Sequence, residues 1–198
     1  MSIIEPVSCI AFDGHRRIAA GPLADVALAA KQALDGGAQG RLLIFDDLSS
    51  RPVELDLRGS PADVLARLPP PAVDEEPVQR GPGRPKLGVV AREVTLLPRH
   101  WDWLASQPGG ASATLRRLVE EARRSHRERD AARLAGEAVD RFMHAMTGDL
   151  PHHEEASRAF WRKESERFTQ LTDAWPADVR EHVRRLATRA WQAAVAGD

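Results

Sequence analysis

Residues 69–86, PPPAVDEEPVQRGPGRPK, set six prolines among charged side chains with almost no apolar surface. Such a stretch cannot bury enough to offset the entropy lost on ordering, and proline fits neither a helix interior nor a sheet ladder, so a linker is expected. It separates residues 1–68 from the remainder of the 198-residue chain. The pattern on its two sides predicts an α+β fold.

In front of the linker, CIAF and RRIAA flank Asp13-Gly14, two runs about a tight turn that predict a β-hairpin. Pro22 suits a first helical turn, and Leu23, Val26, Ala27, Ala30 and Leu34 recur at helical spacing until Gly36-Gly37 ends the run. RLLIF and PVELDL read as strands separated by the turn-rich Asp46-Asp47-Leu48-Ser49-Ser50, and Ser60 can cap a short helix, PADVLARL. A small domain of hairpin, helix, two strands and helix is expected over residues 1–68. Cys9 has no cysteine partner and is expected in its core.

Behind the linker, VVAREVTLL predicts a strand, RHWDWLASQ a short helix, Pro108-Gly109-Gly110 a break and SATLRRLVEEARRS a longer helix, together spanning residues 87–125. Residues 126–198 read as a helical domain. Leu134, Ala138, Phe142 and Met146 form one stripe; Pro151 starts a helix through Ala156, Phe160 and Phe168; Pro176 opens a last one through Val179, Val183, Leu186 and Trp191.

The net charge of −1 conceals a strong asymmetry: residues 80–133 carry 12 basic and 6 acidic side chains, while the segments on either side are acidic. Local charge, not total charge, decides whether a surface attracts phosphate. Within this segment the order strand, helix, turn, helix over residues 89–125 resembles the ribbon-helix-helix domain, in which two chains pair strands and lay the ribbon in the major groove. The resemblance implies a homodimer with Arg92, Glu93 and Thr95 on the ribbon, Val94 and Leu96 facing inward, and Leu115, Leu118, Val119 and Ala122 in a dimer core. It also implies a phosphate held at the start of the second helix, at Gly110 and Ser112, with Ser112 as N-cap. Apart from that resemblance, Arg116, Arg117, Arg123, Arg124, Arg127, Arg129 and Arg133 crowd this helix and its extension, enough cations to contact several phosphates.

Immediately upstream, Arg80-Gly81-Pro82-Gly83-Arg84-Pro85-Lys86 resembles the AT-hook. Glycine permits close approach to a minor-groove floor, arginine is drawn by the negative potential of a narrow A·T-rich groove, and proline keeps the chain extended. Arg80, Arg84 and Lys86 would form this arm, with Pro82 standing where the motif has an arginine. The competing reading is a solvated face, since Glu120 and Glu121 interleave with the helix arginines at pairing distance.

Taken whole, GRPKLGVVAREVTLLPRHWDWLASQPGGASATLRRLVEEA, with FDGHRRIAAGPLADVALA before it and GDLPHHEEASRAFW after it, is similar to the bacterial domain of unknown function 2239 family. That resemblance implies a bacterial source and the three-part layout, and brings no catalytic residue with it.

No stretch approaches the roughly 18 apolar residues of a membrane helix, and MSIIEPVS lacks the basic and apolar regions of a signal peptide, so a cytoplasmic protein with no membrane contact is expected. Walker loops, nucleophile elbows and paired-cysteine metal sites are missing from the sequence, and His152-His153-Glu154-Glu155 lacks ligand spacing, so no catalytic residue, cofactor or metal is expected. An enzyme would need Asp46, Asp47, Asp56 and His15 gathered about one pocket. The expected function is that of a dimeric DNA-binding regulator or nucleoid-associated protein acting on A·T-rich duplex, with unknown protein partners for the flanking domains. The alternative is a protein-interaction scaffold whose middle segment only dimerises.

Overall fold

The computed structural model describes residues 8–69 and 90–196, arranged as three strands and eight helices in an α+β fold. In chain order these are β1 (Ser8–Asp13), β2 (Arg16–Pro22), α1 (Leu23–Asp35), β3 (Leu42–Asp46), α2 (Pro61–Arg67), α3 (Pro98–Ala105), α4 (Gly110–Ser125), α5 (Arg127–Met146), α6 (His153–Trp161), α7 (Ser165–Leu171) and α8 (Ala177–Ala196). They fall into two units, residues 1–73 with 128–198, and residues 74–127.

The first unit is built on an antiparallel sheet of order β2-β1-β3. The hairpin turns at Gly14-His15, with Gly14 in the left-handed region at φ +57°. Gly40 lies against this turn and donates its N–H to Asp13 Oδ1 at 2.7 Å; a Cβ there would come within 2.4 Å of the Gly14 backbone nitrogen, so glycine is required.

The central strand β1 is buried on both faces. Period-two alternation sends Cys9 and Ala11 to one side, where Val26 and Ala30 of α1 join Ile44 in a small core. Ile10 and Phe12 point the other way with Phe45, into a larger core completed by residues of α5, α6, α7 and α8. Phe142 of α5 lies 5.7 Å from the Phe12 ring and 5.6 Å from the Phe45 ring, and all three are fully buried. The sequence predicts separate domains for residues 1–68 and 126–198; here the two segments share one core.

Other elements follow their local chemistry. Ser60 and Asp63 form a capping box at the start of α2: the Asp63 N–H donates to Ser60 Oγ at 3.2 Å and the Ser60 N–H to Asp63 Oδ2 at 2.8 Å. PVELDL, expected as a strand, contributes only a bridge of Pro52 to Phe45 and a Val53 N–H donated to the Ile44 carbonyl at 2.8 Å. Pro52 has no N–H to extend a ladder. The single helix expected from Pro151 to Phe168 is two helices. Lys163 turns left-handed at φ +60°, and the N–H groups of Lys163 and Glu164 close back on the carbonyls of Phe160 and Ala159, both at 3.0 Å.

In the second unit, residues 90–97 form no strand, contrary to expectation, and lead directly into α3, where Pro98 occupies the first turn. A strand is defined by its ladder, and this segment meets no partner strand among the described residues.

A shared core makes a specific demand. Phe142→Ala is expected to cost about 3–5 kcal/mol in urea unfolding, and to lower hydrogen-exchange protection of the β1 amides together with those of α8. Loss in α8 alone would mean that the sheet holds itself independently.

Candidate functional site

The residues predicted to touch DNA divide into those described and those not. Arg80, Arg84 and Lys86, with the whole arm, lie outside the described residues. Arg92, Glu93 and Thr95 are exposed on the extended lead-in to α3. Val94, expected to face inward, is also exposed, and Leu96 is half-buried. An inward face in a ribbon exists only against a second strand, which one chain does not supply.

At the start of α4 the expected cap is displaced. Gly109 is the N-cap residue at φ +83°, Gly110 follows at φ +74°, and no side chain caps the helix. Ser112 therefore sits within the first turn, exposed, because two consecutive glycines allow the left-handed entry that starts the helix earlier. The Gly110 N–H is taken by the Gln107 carbonyl at 3.0 Å. The N–H groups of Ala111 and Ser112 have no side-chain acceptor, which leaves the positive end of the helix dipole open.

The charges along this segment are unequally matched. Arg117 faces Glu121 at 4.0 Å, and Glu120 pairs with Arg123 at 3.1 Å and with Arg124 at 3.8 Å. Among the described residues, Arg92, Arg99 and Arg116 have no carboxylate partner. The apolar side chains are unmatched too: Trp103 is 49% and Val119 56% exposed, with Leu97 and Trp101 also open to solvent.

The first unit contains a polar cluster that the sequence did not single out. Asp47, in the loop after β3, receives Arg185 of α8 at 2.5 and 3.0 Å. The Arg185 guanidinium also reaches His182 Nδ1 at 2.9 Å, and His182 is buried between the rings of Phe12 and Phe142, with Nε2 unpartnered. Burial, then the charge of Arg185, push the His182 pKa down to about 4, opposed by Asp47. For Asp47, burial works to raise the pKa, but the hydrogen bond and charge of Arg185, helped by His182 and Arg189, hold it below the usual carboxylate range. The only sequence signal was Arg185 and His182 at helical spacing opposite an acidic turn.

Two further arginines grip the same loop. Arg189 donates to the Leu48 carbonyl at 2.8 Å and Arg141 to the Ser49 carbonyl. The loop's inner turn is closed by Asp46, whose carboxylate accepts the Ser49 N–H and hydroxyl, both at 2.7 Å. Ser50, next along, is left-handed at φ +52° and buried with its hydroxyl unpartnered.

The acidic set an enzyme would need has separate engagements: Asp46 with Ser49, Asp47 with Arg185, and Asp56 with Arg58 at 2.8 Å. His153 pairs with Thr147 Oγ1 at 2.8 Å, and no cluster of three metal-ligating side chains occurs among the described residues. No helix among them is long and apolar enough to cross a membrane.

Residues 8–187 match the model of a family described as uncharacterized protein conserved in bacteria (DUF2239). No curated protein and no solved structure matches the chain.

The cluster around His182 makes stability depend on pH. His182 titrates near 6.5 when unfolded and about 4 when folded, so below 6.5 the unfolded chain binds more protons and acid favours unfolding. The loss begins as pH falls through 6.5, ends below about 4, and totals on the order of 3 kcal/mol. Asp47, with its lowered folded pKa, adds a further loss only beneath its unfolded value of 3.8. Urea midpoints for wild type and His182→Gln should show the flatter pH dependence in the variant; parallel slopes would place the titration elsewhere.

Proposed function

We propose, from the premise that the chain belongs to this uncharacterised bacterial family, that it is a dimeric duplex-DNA-binding protein whose second unit carries the contact. The observation that carries this reading is the open N-terminus of α4. Two left-handed glycines lead into that helix, the N–H groups of Ala111 and Ser112 have no side-chain acceptor, and Arg116 in the same helix is without a carboxylate partner. That combination favours a backbone phosphate.

Dimerisation follows from surface accounting within the same unit. Helices of 8 and 16 residues leave Leu97, Trp101, Trp103 and Val119 exposed, a pattern that a second copy of the segment would cover. Pairing of residues 90–97 with their equivalents in the second copy would make the ribbon, with Glu93 and Thr95 toward bases. The arm at Arg80, Arg84 and Lys86 would add a minor-groove contact preferring A·T-rich sequence.

The ion pairs of Glu120 and Glu121 favour the second reading, a protein-interaction scaffold in which α4 presents a self-neutralised outer face.

Labelled A·T-rich and G·C-rich duplexes, titrated at low and high salt, separate the two. Wild type should bind with strong salt dependence, Arg84→Ala should lose about three- to tenfold on the A·T-rich duplex, and Arg116→Ala should weaken both duplexes alike, reducing the salt slope by about one. A folded protein that binds neither duplex at low salt is the scaffold. Sedimentation as a monomer at micromolar concentration would remove the ribbon.

A further inference from the structure

The loop gripped by Arg141, Arg185 and Arg189 forms one wall of a groove in the first unit. The groove has a volume of about 450 Å³ and is lined also by Ala131, Leu134 and Ala135 of α5 and by Arg189 and Ala193 of α8. Its apolar lining includes Leu48 and Leu134, which are 52% and 51% exposed. Leu48 and Leu134 give the groove an apolar lining open to water, and its volume falls in the range of small-molecule sites.

The charged groups at this groove are one-sided. Arg51, Arg141 and Arg189 line it against a single carboxylate, Glu137. Glu137 is already committed to Arg133 at 2.6 Å and reaches Arg141 only at 4.0 Å. Arg141 and Arg189 are each fixed by one hydrogen bond to a loop carbonyl, and a guanidinium has five N–H donors, so both keep donors in a settled orientation. The guanidinium of Arg51 has no partner among the described residues. A second cavity of about 350 Å³ shares Arg189 and adds Arg185, extending the cationic rim along α8.

We propose that this groove binds a single-chain amphipathic carboxylate, with its apolar chain against Leu48, Leu134 and Ala193 and its head group on Arg189 and Arg51. Charge complementarity selects the anion, since an uncharged or cationic amphiphile gains nothing from the rim. The apolar walls select against a bare anion, which has no chain to bury. The inference does not rest on DNA binding, because every residue named belongs to the first unit.

The test is calorimetric titration of the full chain with sodium decanoate at concentrations where it is monomeric, beside decylamine hydrochloride, sodium acetate and vesicles of anionic phospholipid. Decanoate should bind at least about tenfold more tightly than decylamine or acetate. Leu134→Gln and Arg51→Ala, both changes at exposed side chains, should each weaken it about fivefold or more while leaving the urea midpoint unchanged. Equal binding of decanoate and decylamine would reduce the groove to a nonspecific apolar surface. Binding to vesicles without binding to decanoate, or variants that bind decanoate like wild type, would equally overturn the proposal, whereas loss of duplex binding would not touch it.

Discussion

Everything in the first unit depends on a strand that must be covered twice. β1 is short and apolar on both faces, so one packed layer leaves half of it in water. α1 covers Cys9 and Ala11. Among the described residues, the cover for Ile10, Phe12 and Phe45 comes from helices more than eighty residues later in the chain. Burying three phenylalanines is worth about 1.5–3 kcal/mol for each ring relative to exposure, enough to decide whether a domain of this size folds. The two ends of the chain are therefore one folding unit, and residues 74–127 are an insertion into it in sequence.

That dependence explains where the arginines go. Joining a sheet edge to a helix through a turn buries turn carbonyls and a carboxylate, and these need donors. Arg141, Arg185 and Arg189 supply them, and at the other edge Arg17 ties the sheet to carboxylates of α8: its backbone N–H donates to Asp178 at 2.8 Å and its guanidinium to Glu181 at 3.3 Å. Arginine suits the task because its fork can bond a carbonyl while retaining further donors. In the second unit Arg92, Arg99 and Arg116 have no carboxylate partner among the described residues, so they contribute no ion pair to the fold there.

How much of this was legible follows from the range of each interaction. The hairpin, α1, the Ser60 cap and α8 are set by residues within a few positions of one another, and period, turn and cap chemistry predict them. The break after α6 depends on Lys163 adopting a left-handed backbone that its residue type does not announce. The α4 N-cap is Gly109 and not Ser112, because two glycines can enter a helix in a way that a serine cap signal does not reveal. The shared core is not legible in the sequence because CIAF reads equally well as a strand with one covered face or two; the position of Phe142 against Phe12 decides it. The Asp47, Arg185 and His182 cluster joins residues 138 positions apart, beyond any motif spacing.

Left-handed backbone at non-glycine positions occurs at Ser50, His152 and Lys163 among the described residues, and of the three only Ser50 is also buried with an unpartnered side-chain atom. Left-handed backbone at a serine costs on the order of 1–3 kcal/mol, and a buried polar atom without a partner adds a comparable penalty. In the described residues the two buried, unpartnered side-chain atoms are Ser50 Oγ and His182 Nε2. Ser50 is in the loop that Asp47 anchors, and His182 is the side chain whose Nδ1 faces the same Asp47–Arg185 pair. A core optimised for stability alone would place a glycine at residue 50 and an apolar side chain at residue 182. The loop is held instead by Arg141, Arg185 and Arg189, with the Leu48 and Ser49 carbonyls turned to the arginines and the Leu48 side chain open to solvent.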